Sequence, residues 1–569
     1  MLAAVYSKLK HWLADVFETR TDIIVAGIIV IFILLNALKI ALFNQYIVPN
    51  ADRWMLRYKL LITILLLTIT YPILFRFKSR VLFVTIYLLQ VLYILVNLSY
   101  YLYFHNYLHF EQALSNFYEG FTAVQNAASP KSPLLLIALI DLPFFIYLSF
   151  MYLRASRLRK KLRVLIYIAV AFALCTTAFT EYRQYREGSS LYHIVKSMFS
   201  GESRIVQRYG TLVNNAVSIY LNKSTEELIK SFKYGKEQKN EKEATHKPNI
   251  FILQVESMDS AIVNQKAGDS FVMPYMNSLT KGSVYYPYML SYHLGGGTSD
   301  SEFSIINSVE PLVGYPSIKL TTYNSPNSFI SKLSQAAYET NAFHGNLGRF
   351  YNRDVAFHKY GFKEFYDITK MNLKDMGWGA PDVQVFDFAL QKSTEAQKPF
   401  LSYVITMSSH GPFTNVTNYY NNEAYGSIQD ITIKNYFNSM TYVDNSIKAF
   451  VQSVKKEYDN SYIFVFGDHT PNIKSDLFKQ AAIALDSKFF EFVPLFIITP
   501  DDRVYMEQNM TASFLDIAPT VLNASGIPFN IRSNGTNLLN PGENVENIPY
   551  RGKAYDRADL YKRIDEELK

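Results

Sequence analysis

Residues 461–470 read SYIFVFGDHT. The run from Tyr462 to Phe466 is apolar without alternation, as expected of a strand buried on both faces, and Gly467 then lets the chain turn into Asp468 and His469. Four other runs share this texture: NIFILQVES (249–257), TNAFHGN (340–346), FLSYVITMSSH (400–410) and VPLFIITP (493–500). Helical stretches separate them, which predicts an α/β domain with a largely parallel sheet flanked by helices. In such sheets a ligand sits beyond the carboxyl ends of the strands. The polar residues at those ends are Glu256, His344, His410, Asp468 and His469.

A second stretch, HLGGGTSDSEF (293–303), adds a hydroxyl. Gly295, Gly296 and Gly297 permit a sharp turn, and Phe303, Ile306 and Val309 recur at helical spacing from Thr298 onward. Glu302 is placed to stabilise the first turn. Thr298 then has two readings. It is an N-cap for that helix, or a hydroxyl at an anion-binding helix start. Glu256, Asp468, His469 and Thr298 together offer three oxygens and one nitrogen to a divalent cation. That set suits Mn²⁺ or Mg²⁺, with Zn²⁺ a third option. Coordination would lower the pKa of the hydroxyl and make Thr298 a nucleophile. In FHGNLGRFYNRD (343–354), His344 and Arg353 are candidates for gripping phosphate oxygens, and Tyr351 for packing on a small polyol. His410, in MSSHGPF, is a candidate acid/base or phosphate donor.

The 569 residues carry a formal charge of +7, unevenly spread. Residues 1–200 hold 20 Lys+Arg against 9 Asp+Glu, and the remainder 36 against 40. The basic residues punctuate apolar runs instead of lining a groove with aromatics, which argues against nucleic acid as a partner. Five runs approach the length of a membrane span: Ile23 to Phe43, Leu60 to Phe75, Val81 to Phe104, Pro133 to Leu153, and Val164 to Thr180. The first shows no cleavage site and reads as an anchor, with Lys39 snorkelling near its end. Lys8, Lys10, Arg20, Arg76, Lys78, Arg80, Arg154, Arg157, Arg159, Lys160, Lys161 and Arg163 fall in alternate segments; the opposite side holds only Arg53, Arg57, Lys59 and Lys131. The positive-inside rule therefore puts the chain after Thr180 outside a plasma membrane. Three regions result: a five-helix transmembrane domain (1–180), a juxtamembrane amphipathic segment ending in the charged linker YGKEQKNEKEATHK (181–248), and an extracytoplasmic catalytic domain (249–569). Cys175 is the single cysteine, so no intrachain disulfide forms.

The order E-S (256–257), G-T-S-D-x-E-F (297–303), F-H-G-N, F-Y-N-R-D, S-S-H-G-P-F, G-D-H-T and FLDIAPTVLNASGI (514–527) resembles the lipoteichoic-acid synthase type of polyglycerol-phosphate transferase, in the alkaline phosphatase and sulfatase superfamily. The resemblance covers the whole chain and implies a sulfatase-like external domain. It implies that Glu256, Thr298, Asp468 and His469 bind a single metal and that Thr298 is the nucleophile. His344, Arg353 and His410 match substrate-binding residues, and Tyr351 falls where relatives often have tryptophan, a departure that bears on the glycerol pocket. The implied reaction moves glycerol phosphate from phosphatidylglycerol, through a covalent threonine intermediate, to a glycolipid, a glycan or a growing polyglycerol-phosphate chain. Alternatives on the same scaffold are phosphoethanolamine transfer and phosphodiester hydrolysis. The absence of disulfide-forming cysteines counts against the first of these. A catalytically silent lipid- or polymer-binding protein is a third reading, and the complete ligand set counts against it.

Overall fold

A computed structural model describes residues 7, 17–47, 58–77, 79–104, 133–196, 205–206, 208–220, 225–294, 296–313, 315–320, 322–471, 473, 482–485, 488–504, 510–541 and 547–568. Lys8, Lys10, Arg53, Arg57, Lys78, Lys131 and Gly295 lie outside the described residues. The chain divides into two compact units, Met1–Asn222 and Lys223–Lys569.

In the first unit the apolar runs form α1 (Arg20–Ile47), α2 (Tyr58–Leu74), α3 (Arg80–Phe104), α4 (Leu142–Phe150), α5 (Tyr152–Lys161) and α6 (Arg163–Arg186). Among the described residues α1, α3 and α6 are long and apolar enough to cross a membrane, whereas α2 is shorter. The fourth run is not the straight helix its composition suggested. A 3₁₀ turn (Pro133–Leu139) leads to Asp141, Pro143 starts α4 in its first turn, and α4 and α5 meet at a bend of 87°. Proline suits a helix start because it lacks the N–H that a preceding turn would need.

Lys39 does not snorkel. It is fully buried, and its Nζ lies 2.8 Å from both carboxylate oxygens of Asp141, which is also fully buried. Asn36 Nδ2 donates to Asp141 Oδ2 (2.9 Å) and Gln90 Oε1 (2.8 Å), Tyr87 Oη donates to Asp141 Oδ1 (2.7 Å), and Tyr71 Oη donates to Gln90 Oε1 (2.5 Å). This network joins α1, α2, α3 and the start of α4, and supplies the partners that buried charges require.

The second unit is built on a sheet whose described strands are β2 (Asn249–Val255), β3 (Val284–Ser291), β4 (Glu339–His344), β5 (Glu364–Tyr366), β6 (Phe400–Ile405), β7 (Ser461–Gly467), β8 (Ala482–Leu485), β9 (Lys488–Ile498) and β10 (Ala512–Ser513). Their order is β10-β3-β9-β7-β2-β6-β4-β5, with β8 also paired to β9. All five pairings that do not involve β9 are parallel; β9 runs antiparallel to β3, β7 and β8. Every residue of β2 is buried, with Ile250 and Ile252 in one core and Phe251, Leu253 and Val255 in the other. This two-sided burial explains the unbroken apolar texture of the sequence. The first core includes Phe303 of α7 (Thr298–Asn307) and Ala518 and Val521 of α11 (Ile517–Ser525); the second includes Val385 of α9 (Asp382–Glu395) and Met440 and Ile447 of α10 (Ile431–Glu457). Between α7 and α9 lies α8 (Arg353–Tyr360).

The charged stretch 234–247 is largely exposed but is not all loop. Lys236–Asn240 forms β1, an antiparallel partner to β11 (Phe529–Ser533).

Candidate active site

Register brings the predicted strand ends to one edge. Val255 pairs with Gly467, Gln254 with Ile405, and Ile405 with His344. One residue beyond Val255 is Glu256, and one beyond Gly467 is Asp468. A Cβ at position 467 would stand 1.8 Å from the Met258 carbonyl, so only glycine lets β7 pass the loop after β2.

Asp468 is fixed by its surroundings. Its Oδ1 accepts from the backbone N–H groups of Ser257 (2.8 Å) and His469 (2.7 Å), and its carbonyl accepts from Ser291 Oγ (2.6 Å) and Ser301 Oγ (2.9 Å). Asp468 Oδ2 is buried and has no hydrogen-bond partner among the described residues. Glu256 is held by Thr406 Oγ1, which accepts from its backbone N–H (2.9 Å), and by Ser409 Oγ, which donates to its carbonyl (2.6 Å). His469 Nε2 lies 3.1 Å from Glu256 Oε1 and 3.7 Å from Asp468 Oδ1. Its Nδ1 lies 2.8 Å from the Thr470 carbonyl and therefore carries a proton.

Burial pushes the Asp468 carboxyl well above its ordinary range, and the Glu256 charge pushes it further. Burial also works against the charge on Glu256, but His469 and His410 more than offset it and hold that carboxyl low. Burial opposes the charged form of His469 too, yet the two acids raise it well above its usual value. One donor atom from each of Glu256, Asp468 and His469 lies within 4.8 Å of the others. Two carboxylates, an imidazole nitrogen and a partnerless carboxylate oxygen fit a divalent cation.

Thr298 is not an N-cap. Gly297 occupies the cap position with φ +57°, and Thr298 is the first residue of α7. Gly297 brings no side chain to cap this helix, and Gly296 N–H donates to Asp300 Oδ2 (2.6 Å). Ser301, one turn beyond Thr298 and on the same face, donates to the Asp468 carbonyl, so that face of α7 is tied to the acid cluster. Glu302 does not serve the first turn either. Arg353 donates to it from Nε (3.0 and 2.9 Å) and Nη2 (2.7 Å), with both side chains buried. Burial opposes the charge on Arg353, and Glu302 more than restores it.

The other predicted residues surround this centre. His344 is buried at the end of β4, and its Nδ1 has no partner among the described residues. Burial, then the Arg353 charge, holds it well below its ordinary value, and it also feels Glu256 and His410. His410 Nδ1 is 2.7 Å from the Gly411 carbonyl, and its ring stacks on Trp378 with centroids 4.3 Å apart. Tyr351 and Asn352 both have left-handed backbones (φ +57° and +58°) ahead of α8, a costly pair of conformations at a turn. A Cβ at Gly297 would stand 3.8 Å from Tyr351 Oη and 3.6 Å from His293 Nε2, which puts both rings beside the Thr298 turn.

His293, Glu491 and Trp378 were not anticipated as neighbours of this centre. Because β9 runs backwards, Glu491 in its N-terminal half, and not its carboxyl end, reaches the ligand edge. Glu491 Oε1 is 3.2 Å from His293 Nδ1, and Oε2 accepts from Thr470 N–H (3.1 Å) and Oγ1 (3.0 Å). Burial raises the Glu491 carboxyl, but His293 and the donors around it bring it down to about 2.

Residues 248–527 match the Sulfatase family. The chain is 28% identical over 370 residues to a lipoteichoic acid synthase from Staphylococcus aureus, a match covering 61% of this chain and only 56% of that relative. Among solved structures it is similar to the lipoteichoic acid synthase LtaP from Listeria monocytogenes (21% identity, TM-score 0.46, 60% of this chain and 96% of that one). It is also similar to the integral membrane lipooligosaccharide phosphoethanolamine transferase A from Neisseria meningitidis (15% identity, TM-score 0.56, 89% of this chain and 96% of that one), a likeness of fold. Residues 248–527 thus form a sulfatase domain, and the chain that carries them is similar to lipoteichoic acid synthases while spanning about half the length of those relatives.

Proposed function

We propose that this chain is a membrane-anchored glycerophosphotransferase that takes glycerol phosphate from phosphatidylglycerol through a covalent intermediate on Thr298. The supporting observation is the joining of Glu256, Asp468 and His469 at one sheet edge to the start of α7, through Ser301 and the Asp468 carbonyl. Glu256, Thr298, Asp468 and His469 would hold the divalent cation, Mn²⁺ by preference, whose charge lowers the pKa of a hydroxyl. Thr298 Oγ1, its proton lost to solvent, attacks phosphorus, the bond from phosphorus to the diacylglycerol oxygen breaks, and His410 supplies the proton that oxygen takes up. An acceptor hydroxyl of a glycolipid, a glycan or a growing polyglycerol-phosphate chain then gives its proton to His410, restoring it, and displaces Thr298 from phosphorus. Arg353 and His344 bind phosphate oxygens, and Tyr351 packs on the glycerol. Glu302 limits Arg353 to the donors it leaves over, which favours one approach of the phosphate.

The apolar helices would anchor the domain beside its lipid donor, with residues 249–569 outside the plasma membrane. Protease added to wall-stripped cells should remove that domain; protection equal to a cytosolic marker's would refute the orientation. The reaction itself is tested by offering the purified full chain phosphatidylglycerol or phosphatidylethanolamine with Mn²⁺. A glycerophosphoryl mass on the peptide containing Thr298 is expected. A phosphoethanolamine mass would transfer the assignment to the alternative donor.

A further inference from the structure

His293 and Glu491 lie outside the ligand set, yet both are built against it. Ser291 at the end of β3 pairs with Glu491 of β9, and two residues further on the chain returns His293 Nδ1 to Glu491 Oε1 at 3.2 Å. The other oxygen of Glu491 holds both the backbone N–H and the hydroxyl of Thr470, the residue after His469. The His293 ring lies face to face on the His469 ring, with centroids 4.4 Å apart and planes 13° from parallel. On its far side His293 Nε2 faces the Gly297 turn that leads to Thr298.

One donor atom from each of His293, His469 and Glu491 lies within 4.8 Å of the others, which raises the question of a second cation. The ring geometry answers it. His469 Nδ1 is committed as a donor to the Thr470 carbonyl, so its one ligating nitrogen is Nε2, 3.1 Å from Glu256. Rings stacked nearly parallel also direct their nitrogen lone pairs in parallel planes and not at a common point. A carboxylate that fixes one imidazole, which in turn fixes another, suits a different task.

We infer that His293 and Glu491 are positioning residues that hold the His469 imidazole with Nε2 turned toward Glu256 and Asp468. Glu491 acts through Thr470 and His293, and His293 acts through its stacked ring. The inference rests on Glu256, Asp468 and His469 forming the metal set of the proposed function. Partners that orient metal-binding histidines typically change affinity by about 10–100-fold when removed.

The experiment is Mn²⁺ titration of the detergent-purified full chain by calorimetry, with thermal melting as the check on folding and Asp468→Ala as the reference for a broken site. His293→Ala and Glu491→Ala should weaken Mn²⁺ binding by roughly 10–100-fold without matching the loss in Asp468→Ala. His293→Phe, which keeps a stacking ring, should bind Mn²⁺ more tightly than His293→Ala. Where an alanine variant fails to fold, Glu491→Gln keeps the shape of the side chain and decides: weakened Mn²⁺ binding supports the inference and unchanged binding overturns it. Unchanged affinity in folded His293→Ala alongside lost binding in Asp468→Ala overturns the positioning role and leaves the metal assignment intact. Failure of the unsubstituted chain to bind Mn²⁺ overturns both.

Discussion

Replacing Glu302 tests whether the helix that carries Thr298 and the residue assigned to grip phosphate are one mechanical unit. Both side chains of the Glu302–Arg353 pair are nearly inaccessible (0% and 3%), with contacts of 2.7 to 3.0 Å. Glu302→Ala would leave a guanidinium buried without its counter-charge, which costs about 3–5 kcal/mol. The unit from Lys223 to Lys569 has 347 residues. At about 2.1 cal/mol/K of unfolding entropy per residue, each kcal/mol lowers its melting temperature by about 1.4 °C, so the expected drop is roughly 4–7 °C. The double variant Glu302→Leu/Arg353→Met removes both charges and should recover most of that loss, because an apolar replacement of a buried pair is often neutral or better. The assay is thermal unfolding of the detergent-purified chain, followed through the Lys223–Lys569 unit. A drop under 1 °C for Glu302→Ala, or a double variant that loses the sum of the two singles, would refute the reasoning. On the proposed mechanism, lipid turnover should fall in both variants, since Arg353 is misplaced in one and absent in the other.

The network in the first unit makes a parallel case. Asp141→Ala deprives Lys39 of the carboxylate 2.8 Å away and should cost about 3–5 kcal/mol, seen as earlier thermal aggregation in detergent, whereas Lys39→Met with Asp141→Leu should restore most of it. The pH dependence of stability has a group of its own. Asp444 accepts from the N–H groups of Tyr275 (2.9 Å) and Met276 (2.8 Å), and burial raises its carboxyl to about 6 despite them. The folded state therefore keeps this proton longer than the unfolded chain. The group favours the fold below about pH 4, and that contribution of about 3 kcal/mol is lost as the pH rises through 6. Asp444→Asn should flatten this part of the stability profile, and a profile parallel to that of the unsubstituted chain would show the group does not titrate so.

Much of the site could be read from sequence because strands buried on both faces leave unbroken apolar runs, and their polar ends then stand out. The candidate residues Glu256, His344, Asp468 and His469 were singled out in this way, and the sheet register brings them to one edge. The direction of β9 leaves no trace in such a run, since a buried strand looks the same pointing either way. Glu491 was missed for that reason, and His293 with it. β1 was missed because its residues are largely exposed and the strand is held by backbone pairing to a partner nearly 300 residues on; Lys236 pairs with Ser533. Lys39 and Asp141 are 102 residues apart, and Glu302 and Arg353 are 51 apart. Lys39 was read as reaching water and Glu302 as serving its own helix, because separations of this size hide the buried partners. Thr298 was ambiguous between cap and nucleophile, and a glycine with positive φ in the cap position removed the first reading.

Diacylglycerol release from phosphatidylglycerol by the purified full chain, with and without Thr298→Ala, bears most directly on the proposed reaction. Thr298 makes no capping hydrogen bond, so the alanine variant should not incur the roughly 0.5–2 kcal/mol that removal of a true cap costs. It should melt close to the unsubstituted chain, which separates chemistry from folding. The account predicts no diacylglycerol above background from this folded variant and no glycerophosphoryl adduct on its peptide. Near-normal turnover by Thr298→Ala would contradict it.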